Sequence, residues 1–383
     1  MKTCITKAGA SATLALMLFL SGGQAGATKP HPEIFPATNR VDVVIALDVS
    51  GSMSGLIESA KQRLWDIVNE LGRAQPQPDL RLAILTYGNP AYGEQGGYVR
   101  IDLPFTRDLD AVNETLFGFG TNGGDEYVAR VVSTSVSELD WSRDPNALRI
   151  IFVAGNEAAT QDPRITMQQA TTAAARAGIV VNTIYCGGEN DSVVAGWQQY
   201  ASMTNGFFAS IDQDAAAVAN IATPMDAELV RLNQALNETF VAYGTGGRER
   251  RDNQLAQDSK VAGFSAPAMA SRVVTKAGGL YDSADWDLVD AVAEGKELDE
   301  IEAKDLPEPL REMSKEERAA HIEAMSARRQ EIQAQILELD KVRRDYIAAE
   351  KARRIETAGS GLDDVIQAGL RTLAVEKGYS FDD

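Results

Sequence analysis

The feature that most constrains this chain is the passage Val41–Gly55, VDVVIALDVSGSMSG. A run of apolar, largely β-branched residues stops at Asp48. Ser50 and Ser52 follow at a spacing of two, with Gly51 between them. Then Leu56, Ile57, Ala60, Leu64, Ile67, Val68 and Leu71 recur at helical spacing. A buried strand therefore runs into an oxygen-rich turn and on into an amphipathic helix. In an open parallel sheet, ligands bind at the turns beyond the carboxyl ends of the strands. Asp48, Ser50 and Ser52 offer one carboxylate and two hydroxyls, without sulfur or imidazole. That set suits a hard divalent cation, Mg2+ before Ca2+ or Mn2+. The plainer alternative is a polar turn in which Ser52 or Ser54 caps the helix.

Further along, strand and helix signals alternate. Strands are predicted at 41–47, 81–87, 98–103, 148–154, 179–185 and 207–211. Helices are predicted at 55–72, 108–117, 125–139, 164–177, 192–204 and 213–222. Such alternation predicts a doubly wound α/β sheet. A glycine-rich, helix-free link between 81–87 and 98–103 predicts a hairpin, with one antiparallel edge strand.

Strand, D-x-S-x-S spacing and following helix together resemble the metal-ion-dependent adhesion site of von Willebrand factor type A (vWA) domains. The resemblance covers residues 41–222 and implies a mostly parallel, Rossmann-like sheet. It implies a divalent cation held by Asp48, Ser50 and Ser52, completed from two further loops. The first of these normally gives a threonine, and Thr121 in Gly118-Phe119-Gly120-Thr121-Asn122-Gly123-Gly124-Asp125-Glu126 matches it. Asp125 is a second oxygen donor there, or else an acid placed at a helix N-terminus by the dipole. The last loop normally gives an aspartate, but its position falls on Gly155, in Ile150-Ile151-Phe152-Val153-Ala154-Gly155-Asn156-Glu157. Asn156, Glu157 or a water would then supply the oxygen, and weak binding is expected. Gly155→Asp is expected to tighten binding, unless Gly155 is there because backbone passes close. The family's open coordination position accepts a partner's Asp or Glu, which implies a protein partner presenting an acidic side chain.

The chain's two ends read differently. Lys2 and Lys7, the apolar stretch 12–20 and the ending Ala25-Gly26-Ala27 predict a signal peptide over 1–27, cleaved after Ala27. No cysteine follows, so no lipid anchor is expected, and no later stretch is a transmembrane candidate. The mature chain is expected to be exported, periplasmic or secreted. Residues 28–40, with three prolines, form a leader. The net charge of −18 argues against nucleic acid and anionic membranes as partners. Cys4 is expected to leave with the signal, so no intramolecular disulfide is expected, and Cys186 reads as a small buried apolar residue.

Beyond the α/β region, 223–312 is expected to be helical and irregular. Leu229, Leu232, Leu236, Phe240 and Tyr243 mark one helix, stopped by Gly244. Gly244–Arg251 reads as a surface turn with a basic cluster rather than a phosphate loop. A short helix is expected around Trp286–Val292. In the region 313–383, Ser314-Lys315-Glu316-Glu317 is a capping box opening a long helix that ends before Gly359. Ile322, Met325, Ile332, Ile336, Leu339 and Tyr346, with Arg329 and Arg343, form an imperfect coiled-coil register. That seam predicts packing on the chain's own helices, or self-association. A last amphipathic helix is predicted over 362–377.

The leading functional expectation is an exported, cation-dependent protein-interaction module, and not an enzyme. His31 lies in the leader and His321 on the long helix, so a Ser-His-Asp triad is not expected. Two other readings stay open. One is a structural envelope protein with a degenerate, metal-free site. The other is a metal-assisted hydrolase using Asp48 and Glu157.

Overall fold

The computed structural model describes residues 39–211, 221–358 and 362–381. The predicted signal peptide, nearly all of the leader and most of the expected helix 213–222 lie outside them.

The chain alternates through β1 (Arg40–Asp48), α1 (Ser54–Gly72), β2 (Ala74–Gln75), β3 (Asp79–Tyr87), β4 (Val99–Thr106), α2 (Leu109–Phe117) and α3 (Val128–Glu138). It continues through β5 (Leu148–Gly155), α4 (Met167–Arg176), β6 (Val180–Cys186), α5 (Val194–Ser202) and β7 (Phe208–Ile211). Six strands form one sheet in the order β4-β3-β1-β5-β6-β7. Among the described residues of this sheet only the β3–β4 pairing is antiparallel; β1 pairs in parallel with β3 and β5, as do β5 with β6 and β6 with β7. The sheet is thus doubly wound and mostly parallel, with one antiparallel edge strand.

Alternation along β1 explains its central place. Val41, Val43 and Leu47 face one core, which includes Leu64 and Trp65 of α1. Val44 and Ala46 face the other, with Val131 and Val132 of α3 and Ala170 and Ala174 of α4. A strand buried on both faces has no polar side to spare. The first carboxylate after the apolar run, Asp48, therefore falls at the sheet's carboxyl edge, beside Tyr87 of β3.

A helical region follows: α6 (Asp226–Asn237), α7 (Gly247–Phe264), α8 (Ala266–Ala277), α9 (Leu288–Ala293), α10 (Glu308–Arg311), α11 (Lys315–Ala358) and α12 (Leu362–Glu376), ending in β8 (Ser380–Phe381). Leu229, Leu232 and Leu236 of α6, Met269 and Val273 of α8, Ile336 of α11 and Leu370 of α12 join the core on the α1 face. β8 pairs antiparallel with β2, tying the end of the described chain to the end of α1.

The capping box forms: Ser314 N–H donates to Glu317 Oε2 at 2.8 Å, and Glu317 N–H donates to Ser314 Oγ at 3.2 Å. The two arginines in the α11 seam point into the chain itself. Arg329 donates to Asp287 Oδ2 at 2.6 Å and to the Thr239 carbonyl at 2.7 Å, and its guanidinium lies over the Phe240 ring. Arg343 donates to Asp226 at 3.0 Å and to the Pro267 carbonyl at 3.1 Å. Apart from the exposed Tyr346, the register therefore reads as a face against α6, α8 and α9.

One expectation fails here. The segment Gly244–Arg251 is not a turn throughout, because Gly247–Arg251 is the first part of α7. The inward face of that helix carries Gln254, Gln257 and Asp258. Those polar residues break the apolar periodicity by which a helix is recognised.

Candidate functional site

Three loops meet beyond the carboxyl ends of the central strands. The first, Val49–Met53, leaves β1. Its path is set by Val49 N–H donating to the Tyr87 carbonyl at 2.9 Å and Met53 N–H donating to the Ser50 carbonyl at 3.1 Å. Ser50 N–H donates to Asp48 Oδ1 at 2.7 Å, which fixes the carboxylate. The Ser50 and Ser52 hydroxyls lie 3.4 Å apart. Neither Ser52 nor Ser54 caps α1: Met53 occupies the cap position, and no side chain makes the capping bond there. The plain capping role for these serines is thus not realised.

The second loop, 118–127, docks on the first through Asn122 N–H, which donates to the Val49 carbonyl at 2.9 Å. Thr121 and Asp125 are both exposed. Asp125 lies 3.5 Å from the Tyr127 hydroxyl, and it precedes α3, which starts at Val128 rather than at 125. The acid that turns inward is its neighbour. Glu126 is only 7 % exposed and lies beside Asp48 and Ser50. Glu126 N–H donates to Gln161 Oε1 at 3.3 Å.

The third loop follows β5. Asn156 reaches the first loop, its Nδ2 donating to Ser52 Oγ at 2.9 Å. Glu157 is exposed; its carbonyl accepts from Trp197 Nε1 at 2.8 Å and its carboxylate from Gln161 at 3.3 Å. Gly155 carries no side chain because none fits. A Cβ there would stand 2.3 Å from the Tyr87 hydroxyl, which donates to the Ala154 carbonyl at 2.9 Å.

Asp48, Ser50, Ser52 and Asn156 are therefore brought together, while Thr121, Asp125 and Glu157 lie exposed on the surrounding loops. Glu126, which the spacing did not single out, joins the group, while its neighbour Asp125 lies exposed. Its clue was the residue order: Asp125 and Glu126 are adjacent, and only one of two successive side chains in an extended segment can face inward.

The electrostatics are one-sided. Burial pushes the Asp48 carboxyl above the usual range, and the Glu157 charge adds to this against hydrogen bonds from Ser50. Burial also pushes Glu126 up, and the Asp48 charge adds to it. Three buried oxygens, Asp48 Oδ2, Glu126 Oε2 and Asn156 Oδ1, accept no hydrogen bond from the protein. Each such acceptor costs about 1–3 kcal/mol when left without a partner. A hard cation fits this donor set of carboxylates, hydroxyls and an amide oxygen. Among the described residues, no group of three or more His, Cys, Asp or Glu could hold a metal, so any cation here would rest partly on hydroxyl and amide oxygens.

Comparison with known proteins agrees with this architecture. Residues 42–224 match the family described as the von Willebrand factor type A domain. Solved structures with a similar fold include proximal thread matrix protein 1 from the mussel byssus, described with a zinc-occupied MIDAS motif. It is 11 % identical with a TM-score of 0.38, over 47 % of this chain and 43 % of that one. Another is the SpRpn10 VWA domain, 15 % identical with a TM-score of 0.34, over 44 % of this chain and 87 % of that one. The chain thus spans less than half of the mussel protein. Comparison with curated proteins finds no match.

Proposed function

We propose that the chain is an exported protein-interaction module whose binding depends on a divalent cation, Mg2+ first, held at the edge of its vWA domain. One observation carries this reading: the wholly buried Asp48 keeps Oδ2 without a hydrogen-bond donor, beside the paired hydroxyls of Ser50 and Ser52. An orphaned carboxylate oxygen in a buried cluster of oxygens is costly unless a cation or proton takes it up. Asp48, Ser50 and Ser52 would hold the ion, with Asn156 beside them and Thr121, Asp125 and Glu157 on the rim. A bound dication would supply the positive charge that attracts a partner's carboxylate. The site is open to a macromolecule on that side, since Ser52, Thr121, Asp125 and Glu157 are all exposed. Export rests on the N-terminal pattern alone. No helix of the described residues is long and apolar enough to cross a membrane.

Calorimetric titration of the full chain with Mg2+ and Mn2+ tests the reading, together with capture of acidic partners with and without chelator. Saturable uptake that Asp48→Asn abolishes supports it; absence of uptake by the wild type overturns it. A second reading, a structural domain with a metal-free site, is favoured by Tyr87, whose hydroxyl fills the place of a third-loop carboxylate. It requires that outcome without uptake.

A further inference from the structure

We propose that Glu126 is a cation-ligating residue of this site, a second-loop carboxylate standing in for the one that position 155 cannot supply. The inference rests on the reading of the site as a cation site and adds to it the residue that completes the charge.

Three independent observations lead there. The first is steric. Tyr87 blocks a side chain at Gly155, so a carboxylate from that position is excluded. The second is a clearance on the other side of Asp48. Gly88, at the end of β3, has φ +83°; a Cβ there would stand 2.7 Å from Asp48 Oδ1 and 3.1 Å from Glu126 Cγ. A side chain at 88 would drive the two carboxylates apart, and the positive φ itself favours glycine. The backbone thus leaves a gap through which Glu126 approaches Asp48. The third is the state of the oxygens. Glu126 is 7 % exposed and Asp48 is 0 % exposed, and each keeps one oxygen without a donor.

Two buried carboxylates side by side repel each other strongly unless a proton or a cation is shared between them. Lys and Arg are the usual remedy, yet the charges that act here are acidic: Asp48 and Glu157 on Glu126, and Glu157 on Asp48. A dication between them would cancel two charges with two. The site would then be charge-neutral when filled, with the Ser50 and Ser52 hydroxyls as uncharged donors. Glutamate rather than aspartate suits the distance, since its extra methylene reaches in from a loop whose neighbouring residue, Asp125, stays at the surface.

The test compares wild type, Glu126→Gln, Asp125→Asn and Asp48→Asn as full chains. Each is titrated with Mn2+ and Mg2+ by calorimetry, and its thermal midpoint is read with and without EDTA. Glu126→Gln is expected to weaken cation binding about tenfold or more. Its midpoint in EDTA is expected to be no lower than that of wild type, because a repulsion is removed. Asp125→Asn is expected to titrate like wild type. Should Gln not be tolerated, Glu126→Asp withdraws the charge by one methylene and is expected to weaken binding in the same way. If Glu126→Gln titrates like wild type while Asp48→Asn has lost the ion, Glu126 is not a ligand and the cation site stands. If Glu126→Gln lowers the EDTA midpoint and leaves affinity unchanged, its role is structural and the proposal fails. If wild type takes up neither ion, the reading of the site itself falls.

Discussion

The Tyr87 hydroxyl stands where a side chain on Gly155 would have to begin, 2.3 Å from the Cβ that this glycine lacks. Real Cβ atoms are not found so close to a neighbour, and Tyr87 is fully buried with its hydroxyl on the Ala154 carbonyl. The same added Cβ would meet Asp48 Oδ2 at 3.2 Å and Trp197 at 3.3 Å. Position 155 is thus closed to a carboxylate by packing, and restoring the aspartate usual in vWA domains requires Tyr87 to move.

Gly155→Asp is therefore expected to destabilise the fold by about 1–3 kcal/mol, the usual range for forcing volume into a packed core. It is not expected to tighten cation binding. Chemical denaturation of the variant, followed by Mg2+ titration, checks both. A stable variant with tighter binding would show that Tyr87 moves aside readily.

Asp48→Asn keeps an oxygen for the Ser50 amide, the contact that shapes the first loop. It removes the charge that a cation needs. The expected outcome is loss of any Mg2+-induced rise in thermal midpoint, with an unchanged far-ultraviolet dichroism spectrum. A collapsed spectrum would show instead that the carboxylate holds the loop together.

How far the fold could be read in advance follows from periodicity. In β1, alternate residues feed two opposite cores, and the run ends where the first carboxylate must leave them. That pattern fixes strand, edge and turn together. α7 was missed because its buried face is polar: Gln257 accepts from Asn113 Nδ2 at 2.9 Å, and Asp258 is bonded by Asn233 at 2.8 Å. Apolar spacing cannot report a helix that packs through amides and charges. In the site, the D-x-S-x-S spacing names Asp48, Ser50 and Ser52, neighbours at the end of β1 and on the loop that follows it. The inward turn of Glu126 and the filling of the Gly155 position by Tyr87 depend on contacts between distant segments, which spacing does not encode.

Arg329 is 3 % exposed and bonds Asp287, Asp290 and Thr239 from α11. Arg329→Ala would leave Asp287, which is wholly buried, without its cation. Breaking such a pair from one side costs about 3–5 kcal/mol. The expected result is a large loss of stability and early release of α11, read as amide exchange over 315–358 faster than over β1. Because the α11 face is engaged within the chain, wild type should show the same sedimentation coefficient across dilution. A shift to dimers on concentration would mean that another face of the helix associates.

The last prediction concerns acid. Asp258 sits between two buried cations: Arg272 Nε donates to its Oδ1 at 2.7 Å, and Lys276 Nζ to its Oδ2 at 2.8 Å. Asn233 and Asn237 each add a bond to Oδ2 at 2.8 Å. Burial alone would raise this carboxyl, but the charges of Lys276 and Arg272, with the amide of Asn233, prevail and hold it well below the usual carboxylate range. A group depressed in the folded state stabilises the fold above its unfolded pKa, near ~3.9, and loses that contribution as pH falls through the folded value. The stabilisation from Asp258 is thus complete at neutral pH and drains away below about pH 4. Asp258→Asn leaves both cations buried with no carboxylate on that side, although Arg272 keeps Asp110. It should cost about 3–5 kcal/mol at pH 7. The gap to wild type should narrow toward pH 2, because the unfolded wild-type chain there carries a proton on Asp258 that folding must expel. Urea midpoints of the two proteins between pH 2 and 7 measure the gap. A gap that stays constant across that range would show that Asp258 acts through packing and hydrogen bonding rather than through its charge.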